Sequence, residues 1–259
     1  FEQQIGQFFF IGLPGTEVDE ETRKLIEEIR PGGINIFGRN VESAAQLRKL
    51  IDDARRLIPT EPLVAIDQEG GLVDRLRQVF PPMPSARAIR QHGDLAGARK
   101  LGRVTGELLR MLGFNLNFAP VMSIITEARS KLTNGLYSRS FGRSPGEVLG
   151  YTTVYMRGLQ GTGCLGCLKH FPGIGAGEDQ KDFNNLNNTS TMNAYYADFA
   201  LLLQKAAANG QPVVVHVEPD FWGYMEIYAR NNSTNTAAGL TASVASSGYA
   251  GVAGYPNTV

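Results

Sequence analysis

Cys164-Leu165-Gly166-Cys167-Leu168-Lys169-His170-Phe171-Pro172-Gly173-Ile174-Gly175 is the stretch on which the reading of the fold turns. A short apolar run feeds directly into a cation, an imidazole, a proline and spaced glycines. That is the pattern of a strand buried in a sheet and ending at a working surface, with Gly and Pro shaping the loop beyond it. An ordinary strand before an ordinary turn has the same local composition. The choice therefore rests on whether the pattern recurs.

It recurs. Phe8–Leu13 is an apolar run closed by Pro14-Gly15, and Ile34–Phe37 is followed by Gly38-Arg39-Asn40. Leu63–Ile66 ends in Asp67-Gln68-Glu69-Gly70-Gly71, and Phe114–Met122 holds a fourth strand with Asn115, Asn117 and Pro120 near its exit. Helical patterns separate them: one capped by Asp19 and stopped at Pro31-Gly32-Gly33, and one capped by Ser43 with Ala44, Leu47, Leu50, Ile51 and Ala54 in helical period. A third ends at Gly113, and a fourth opens at Pro145 and runs to about Leu159. Five strand–helix repeats predict right-handed βαβ units and a parallel sheet. Polar tips after every strand suit an α/β fold of the (β/α)8 TIM-like barrel type, whose working face is its C-terminal rim. A doubly wound open sheet is the other reading, although no G-x-G-x-x-G follows the first strand. Beyond Gly177 the chain is compressed and irregular. Val213–Val217 reads as strand six, tipped by Glu218-Pro219-Asp220, Ala242–Ala245 as strand seven, and the residues from Gly251 as a short eighth. One barrel domain over 1–259 is the expected organisation.

Composition narrows the function classes. Lys+Arg and Asp+Glu both number 25, so no net charge draws the chain to nucleic acid. No apolar run approaches the roughly 20 residues of a membrane span. The first residues lack the basic, apolar and small-residue succession of a signal peptide, which predicts a soluble, cytoplasmic protein. His92, His170 and His216 show no metal-ligand spacing, and neither a metal nor another cofactor is expected. Cys164 and Cys167 form a C-x-x-C, read either as a redox pair or as structural thiols. Strand alternation would send them to opposite faces, which favours the second reading. Oligomeric state is not legible.

From Gln7 to about Gly177 the sequence resembles bacterial family 3 glycoside hydrolases, in particular the NagZ-like β-N-acetylglucosaminidases. The motifs run in order: Gly32-Gly33 with Phe37 and Arg39-Asn40; Asp67-Gln68-Glu69-Gly70-Gly71; Phe118-Ala119-Pro120-Val121; Ser138-Arg139-Ser140-Phe141-Gly142; Lys169-His170-Phe171-Pro172-Gly173. The resemblance implies a barrel with a pocket for a small saccharide of the N-acetylglucosamine type. Asp67, Arg75, Arg139, Lys169 and His170 match the residues that hold sugar hydroxyls in that family. The chemistry is coherent, since a carboxylate accepts from hydroxyls while Arg and Lys supply charge-assisted donors. Surface ion pairing is the alternative role for Arg75 and Arg139.

The catalytic machinery departs from the family. Retaining hydrolysis needs a nucleophilic carboxylate and a proton donor. Gln180 and Asp182 stand where the NagZ-like branch has an Asp-x-His pair, and no histidine follows until His216. Glutamine cannot shuttle a proton. The family's Asp nucleophile has no match either: no Asp or Glu occurs after Glu226. Leu72 replaces a usual Arg, Ser123 a usual Asp, and Asn35 interrupts an apolar strand. Residues 178–259 do not continue the family pattern, which predicts a recombined or engineered chain joined near residue 177. Glu218, a strand-tip acid among aromatics, then becomes a candidate catalytic group beside Asp179 and Asp182, although a capping or ion-paired role fits Glu218 equally well. Three functions stand open: a glycosidase-derived barrel with a residual sugar pocket and impaired catalysis, an active β-N-acetylhexosaminidase with a rebuilt carboxylate pair, and a non-enzymatic scaffold.

Overall fold

The computed structural model describes residues 2–125, 136–170, 184–215, 219–232 and 237–258. It divides into two compact units, Phe1–Lys169 and His170–Val259.

The first unit is built on a five-stranded sheet: β1 (Phe10–Gly12), β2 (Gly33–Ile36), β3 (Leu63–Ile66), β6 (Leu116–Asn117) and β7 (Leu165–Gly166). Every neighbouring pair is parallel. The strands lie side by side in chain order, with the short hairpin β4 (Gln68–Gly70) and β5 (Val73–Asp74) standing apart as a separate antiparallel pair. A doubly wound sheet reverses its strand order at a switch point. This sheet has no reversal, so right-handed crossovers place the intervening helices on one face, the barrel arrangement.

The helices begin and end where local chemistry dictates. α1 (Glu20–Ile29) starts at Asp19, whose Oδ1 accepts from Thr22 N at 2.8 Å. It stops at Arg30, which adopts the left-handed conformation (φ 51°) ahead of Pro31. α2 (Ala44–Arg56) opens with a reciprocal cap: Gln46 N donates to Ser43 Oγ at 3.1 Å while Ser43 N donates to Gln46 Oε1 at 3.4 Å. After the short α3 (Ala86–Gln91), α4 (Leu95–Leu112) ends on Gly113 (φ 99°). α5 (Pro145–Gln160) is capped by Ser144.

Alternation along the strands sends two sets of side chains to two faces. Ile34, Ile36, Val64 and Ile66 pack with Leu47, Leu50, Ile51, Leu109, Tyr155 and Leu159 from the helices to make the main core. On the opposite face Ala65, Leu116 and Phe118 gather with Phe10, Leu63 and Cys167. The Phe10 and Phe118 rings lie 5.7 Å apart, and Phe10 covers Gly33 so closely that a Cβ there would fall 2.3 Å from the ring. Outside the sheet, α4 and α5 cross backbone to backbone. A Cβ at Gly158 would lie 2.1 Å from the Arg99 carbonyl oxygen, so only glycine fits this crossing.

The second unit is helical among its described residues. α6 (Thr189–Ala208) is capped by Asn188, whose Oδ1 accepts from Thr191 N at 2.9 Å, and α7 spans Pro219–Asn231. A small core of Leu186, Met192, Met225, Ala229, Leu240 and Ala242 holds the unit together.

Here three expected strands are corrected. Residues 213–215 are not in a strand, and 216–217 lie outside the described residues. Val213 and Val214 are 47% and 74% exposed, and β-branched residues make strands only where a neighbouring strand and a packed face receive them. Ala245–Ser247 is a 3-10 helix rather than the end of strand seven, and Ala242 N bonds instead to Asn257 O at 3.1 Å. Ala250–Val252 is likewise a 3-10 helix where an eighth strand was expected. At the other end, Glu2–Phe8 is a 3-10 helix, so β1 is shorter than the apolar run predicted.

Candidate active site

The site grows from the tip of β3. Asp67 follows Ile66, and the chain then turns through the β4–β5 hairpin, Gln68 opposite Asp74 and Gly70 opposite Val73. The turn requires both glycines of the Gly-Gly pair. Gly70 and Gly71 have φ of 85° and 62°, and a Cβ on Gly70 would sit 2.3 Å from the Pro84 carbonyl oxygen. Because extended residues alternate, Asp67 and Glu69 point one way and Gln68 the other.

Lys169 reaches the same place from beyond β7. Its backbone pairs with the segment after β6: Lys169 N donates to Pro120 O at 3.2 Å, and Met122 N donates to Lys169 O at 2.6 Å. Its ammonium then bridges two carboxylates, 2.5 Å from Asp67 Oδ1 and 2.7 Å from Glu69 Oε1. Arg139 completes the group from the loop after the Leu136–Ser138 3-10 turn. Its Nε and Nη2 both donate to Glu69, each at 2.8 Å, in a bidentate fork. That loop is anchored by Ser140, whose hydroxyl donates to the Ser123 carbonyl at 2.6 Å.

Two cations thus face two carboxylates in a nearly dry setting. The Glu69 side chain is 5% exposed, Lys169 12% and Asp67 20%. Burial pushes the Glu69 carboxyl up, but hydrogen bonding from Arg139 and the charges of Lys169 and Arg139 outweigh it, leaving Glu69 below the ordinary carboxylate range. Glu69 is the inner anchor that holds both cations, while Asp67 and Lys169 present the more open edge. Such an edge can accept hydrogen bonds from neutral hydroxyls and donate to them without leaving net charge behind.

Of the residues singled out by sequence, the structure brings Asp67, Arg139 and Lys169 together. Arg75 belongs to the same hairpin: its backbone N donates to Gln68 Oε1 at 3.0 Å, and its buried Nε carries no hydrogen bond among the described residues. His170 is half-buried and is the first residue of the second unit. Asp179, Asp182 and Glu218 lie outside the described residues.

Glu69 was missed as a site residue, although its spacing two positions from Asp67 at a strand tip was the available signal. Of the positions that depart from the family, Leu72 is 61% exposed at the hairpin turn. Ser123 is buried, and its Oγ has no hydrogen bond among the described residues.

The two cysteines form no disulfide with each other and are divided by the sheet: Cys164 belongs to the helix-side core, Cys167 to the opposite cluster. Burial pushes the Cys164 thiol up to about 12, which suits an inert structural residue. Among the described residues no three His, Cys, Asp or Glu side chains converge to hold a metal ion, and no helix is long and apolar enough to cross a membrane.

Comparison with known proteins agrees with this geometry. Residues 1–214 match the glycosyl hydrolase family 3 N-terminal domain. A β-hexosaminidase of Photobacterium profundum is 34% identical over 162 residues, covering 62% of this chain and 47% of that protein. One from Thioalkalivibrio sulfidiphilus is 36% identical over 171 residues, 64% of this chain and 48% of its own length. The chain therefore spans about half the length of the curated relatives it matches.

Among solved structures, a family 3 β-N-acetylglucosaminidase from Paenibacillus sp. superposes with a TM-score of 0.63 at 34% identity, over 67% of this chain and 33% of that one. NagZ from Neisseria gonorrhoeae gives 0.58 at 29% identity, over 63% and 48%. The sequential parallel strands and the carboxylate–cation cluster at their tips are thus those of a TIM-barrel-like α/β fold, and the chain belongs to glycosyl hydrolase family 3.

Proposed function

We propose that this chain carries the sugar-holding part of a β-N-acetylhexosaminidase that hydrolyses terminal N-acetylglucosamine-type residues. The observation that carries the reading is the cluster of Asp67, Glu69, Arg139 and Lys169 at the strand tips. Its charges compensate one another, which suits a neutral pyranose. Asp67 accepts from ring hydroxyls, Lys169 donates to them, and the unbonded Nε of Arg75 supplies a further donor. Relatives support the ligand class: one NagZ structure from Neisseria gonorrhoeae is a complex with N-trifluoroacetyl-D-glucosamine. In this reading His170 is a further sugar-holding candidate, and Asp179, Asp182 and Glu218 are the candidates for the acid and nucleophile of a retaining reaction. Two carboxyls about 5–5.5 Å apart are what that chemistry needs.

The test is turnover of a chromogenic β-N-acetylglucosaminide. Turnover lost in both Asp67→Ala and Glu218→Gln supports hydrolysis with Glu218 as a catalytic group; a rate equal to buffer sinks it.

A second reading, a retained pocket with impaired catalysis, is favoured by Gln180 at the expected Asp position and by the lack of histidine between His170 and His216. Calorimetry with N-acetylglucosamine separates it: heat lost in Asp67→Ala without turnover in the wild type selects the second reading. A recombined origin draws no support from the family match, which runs past residue 177 to residue 214.

A further inference from the structure

Where β3 ends, the main chain of Gln68 leaves the parallel ladder. Both of its polar groups are taken up by one side chain. Gln68 N donates to Asn117 Oδ1 at 3.0 Å, and Asn117 Nδ2 donates to Gln68 O at 3.0 Å. Asn117 is fully buried in β6, and its amide also lies 3.4 Å from the Tyr155 hydroxyl of α5. The Gln68 side chain extends the network away from the carboxylates. Its Oε1 accepts from Arg75 N and Leu76 N at 3.0 and 3.2 Å, and its Nε2 donates to Asp74 Oδ1 at 2.7 Å. Asp74 Oδ2 in turn accepts from Met83 N at 2.9 Å.

This is a closed polar network inside the protein, joining the tip of β3, the β4–β5 hairpin, β6 and α5. Only an amide offers one donor and one acceptor in a fixed plane at that spot. An apolar side chain would leave two buried main-chain groups unpaired, and a carboxylate would supply acceptors alone.

Asp67 and Glu69 flank Gln68, so whatever holds the Gln68 main chain sets the start of both acidic side chains. We propose that Asn117 is a positioning residue of the sugar site, clamping the Gln68 main chain so that Asp67 and Glu69 both reach the Lys169 ammonium. Its effect on sugar binding rests on the function proposed above, but its effect on the carboxylate cluster does not. In the clamped state Glu69 faces Arg139 and Lys169 directly, Asp67 across the shared ammonium, and the buried Tyr155 hydroxyl more remotely. Released, Glu69 loses close contact with the two cations but stays buried, and burial alone raises a carboxyl's proton affinity.

The experiment is a carbon-13 NMR titration of the Glu69 carboxyl in the ligand-free full chain. Wild type is compared with Asn117→Leu, with the milder Asn117→Ser, and with Leu50→Ala, a core truncation in α2 that lowers stability without touching the network. A Glu69 midpoint raised by about one pH unit, a tenfold change in proton affinity, in the Asn117 variants but not in Leu50→Ala supports the proposal. A midpoint unmoved in either folded Asn117 variant, or moved equally in Leu50→Ala, overturns it. Failure of both Asn117 variants to fold while Leu50→Ala folds also overturns it, since Asn117 would then serve the fold as a whole.

Titration of the same proteins with N-acetylglucosamine separates this idea from the proposed function. No heat with wild type removes the sugar reading while a moved Glu69 midpoint keeps the clamp. Wild-type affinity retained in Asn117→Ser with an unmoved midpoint removes the clamp alone.

Discussion

The two units dispose of apolar surface in opposite ways. In the first, α5 carries apolar residues around much of its circumference, and Val148, Tyr151, Tyr155 and Leu159 are all buried, the last three within the main core. In the second, α6 is also apolar nearly all round, yet Met192 is its buried residue, and Leu201 and Leu203 remain 50% and 49% exposed. Helix-forming composition is therefore similar, and what differs is the receiving layer. A sheet with a glycine-lined helix crossing turns apolar residues into stability; a helix pair with a small core leaves much of them in water.

The largest effect is expected at Glu69, in the charged cluster that the second unit has no counterpart to among its described residues. Glu69→Gln strips Arg139 of its carboxylate and leaves Lys169 with Asp67 alone, and loss of one member of a buried ion pair costs about 3–5 kcal/mol. The urea midpoint of the first unit should fall accordingly, and N-acetylglucosamine binding should vanish. A stability equal to wild type would show that Asp67 alone compensates both cations.

Next in size is the helix crossing. Gly158→Ala forces a Cβ to 2.1 Å from the Arg99 carbonyl, and such overpacking costs about 1–3 kcal/mol. An unchanged thermal midpoint would mean that the two helices separate freely.

A smaller, pH-dependent effect follows from Glu69. A carboxyl held below its unfolded value stabilises the folded chain fully above about pH 4.3, the ordinary Glu value. That contribution fades as pH falls through the lowered native value. Unfolding free energy measured from pH 7 to 3 should stay flat and then drop, and the drop should be shallower in Glu69→Gln. Identical acid limbs in the two proteins would count against the ion-pair account.

The smallest effect is expected in the second unit. Leu203→Gln should change stability by no more than about 0.5 kcal/mol, as for an exposed site. A loss comparable with that of Gly158→Ala would reveal a layer covering α6. Thiol labelling sharpens the same contrast within the first unit: half-buried Cys167 should react with a thiol reagent before unfolding and fully buried Cys164 only with it.

Much of the first unit was legible because its signals are local. Asp19, Ser43, Gly113 and Pro145 mark helix ends through hydrogen bonds and backbone dihedrals that a few residues decide among themselves. The strand runs were legible for the same reason, although β1 and β6 proved shorter than their apolar runs. Strands six to eight failed because Val213–Val215 and Ala242–Ala245 carry strand composition without a described neighbour to pair with, and pairing is not encoded in the run itself.

Among site residues, Asp67, Arg139 and Lys169 were recognisable from motifs. Glu69 carried a signal in its spacing from Asp67, but neither it nor Asn117 announces its distant partner, Arg139 70 residues away or the Gln68 main chain 49 residues away.

By itself the sequence determined the alternation of strands and helices in the first unit, the glycines of the Asp-Gln-Glu-Gly-Gly turn, and the charged residues that end the strands. Those follow from backbone sterics and periodicity, which act over a few residues. Only the tertiary structure decided that Lys169 bridges Asp67 and Glu69, that Arg139 closes the cluster, and that Asn117 takes both polar groups of Gln68. The reason is that buried charges and main-chain groups must find partners wherever the packed chain supplies them. Which partner satisfies which group depends on the three-dimensional meeting of strand tips rather than on their order along the chain.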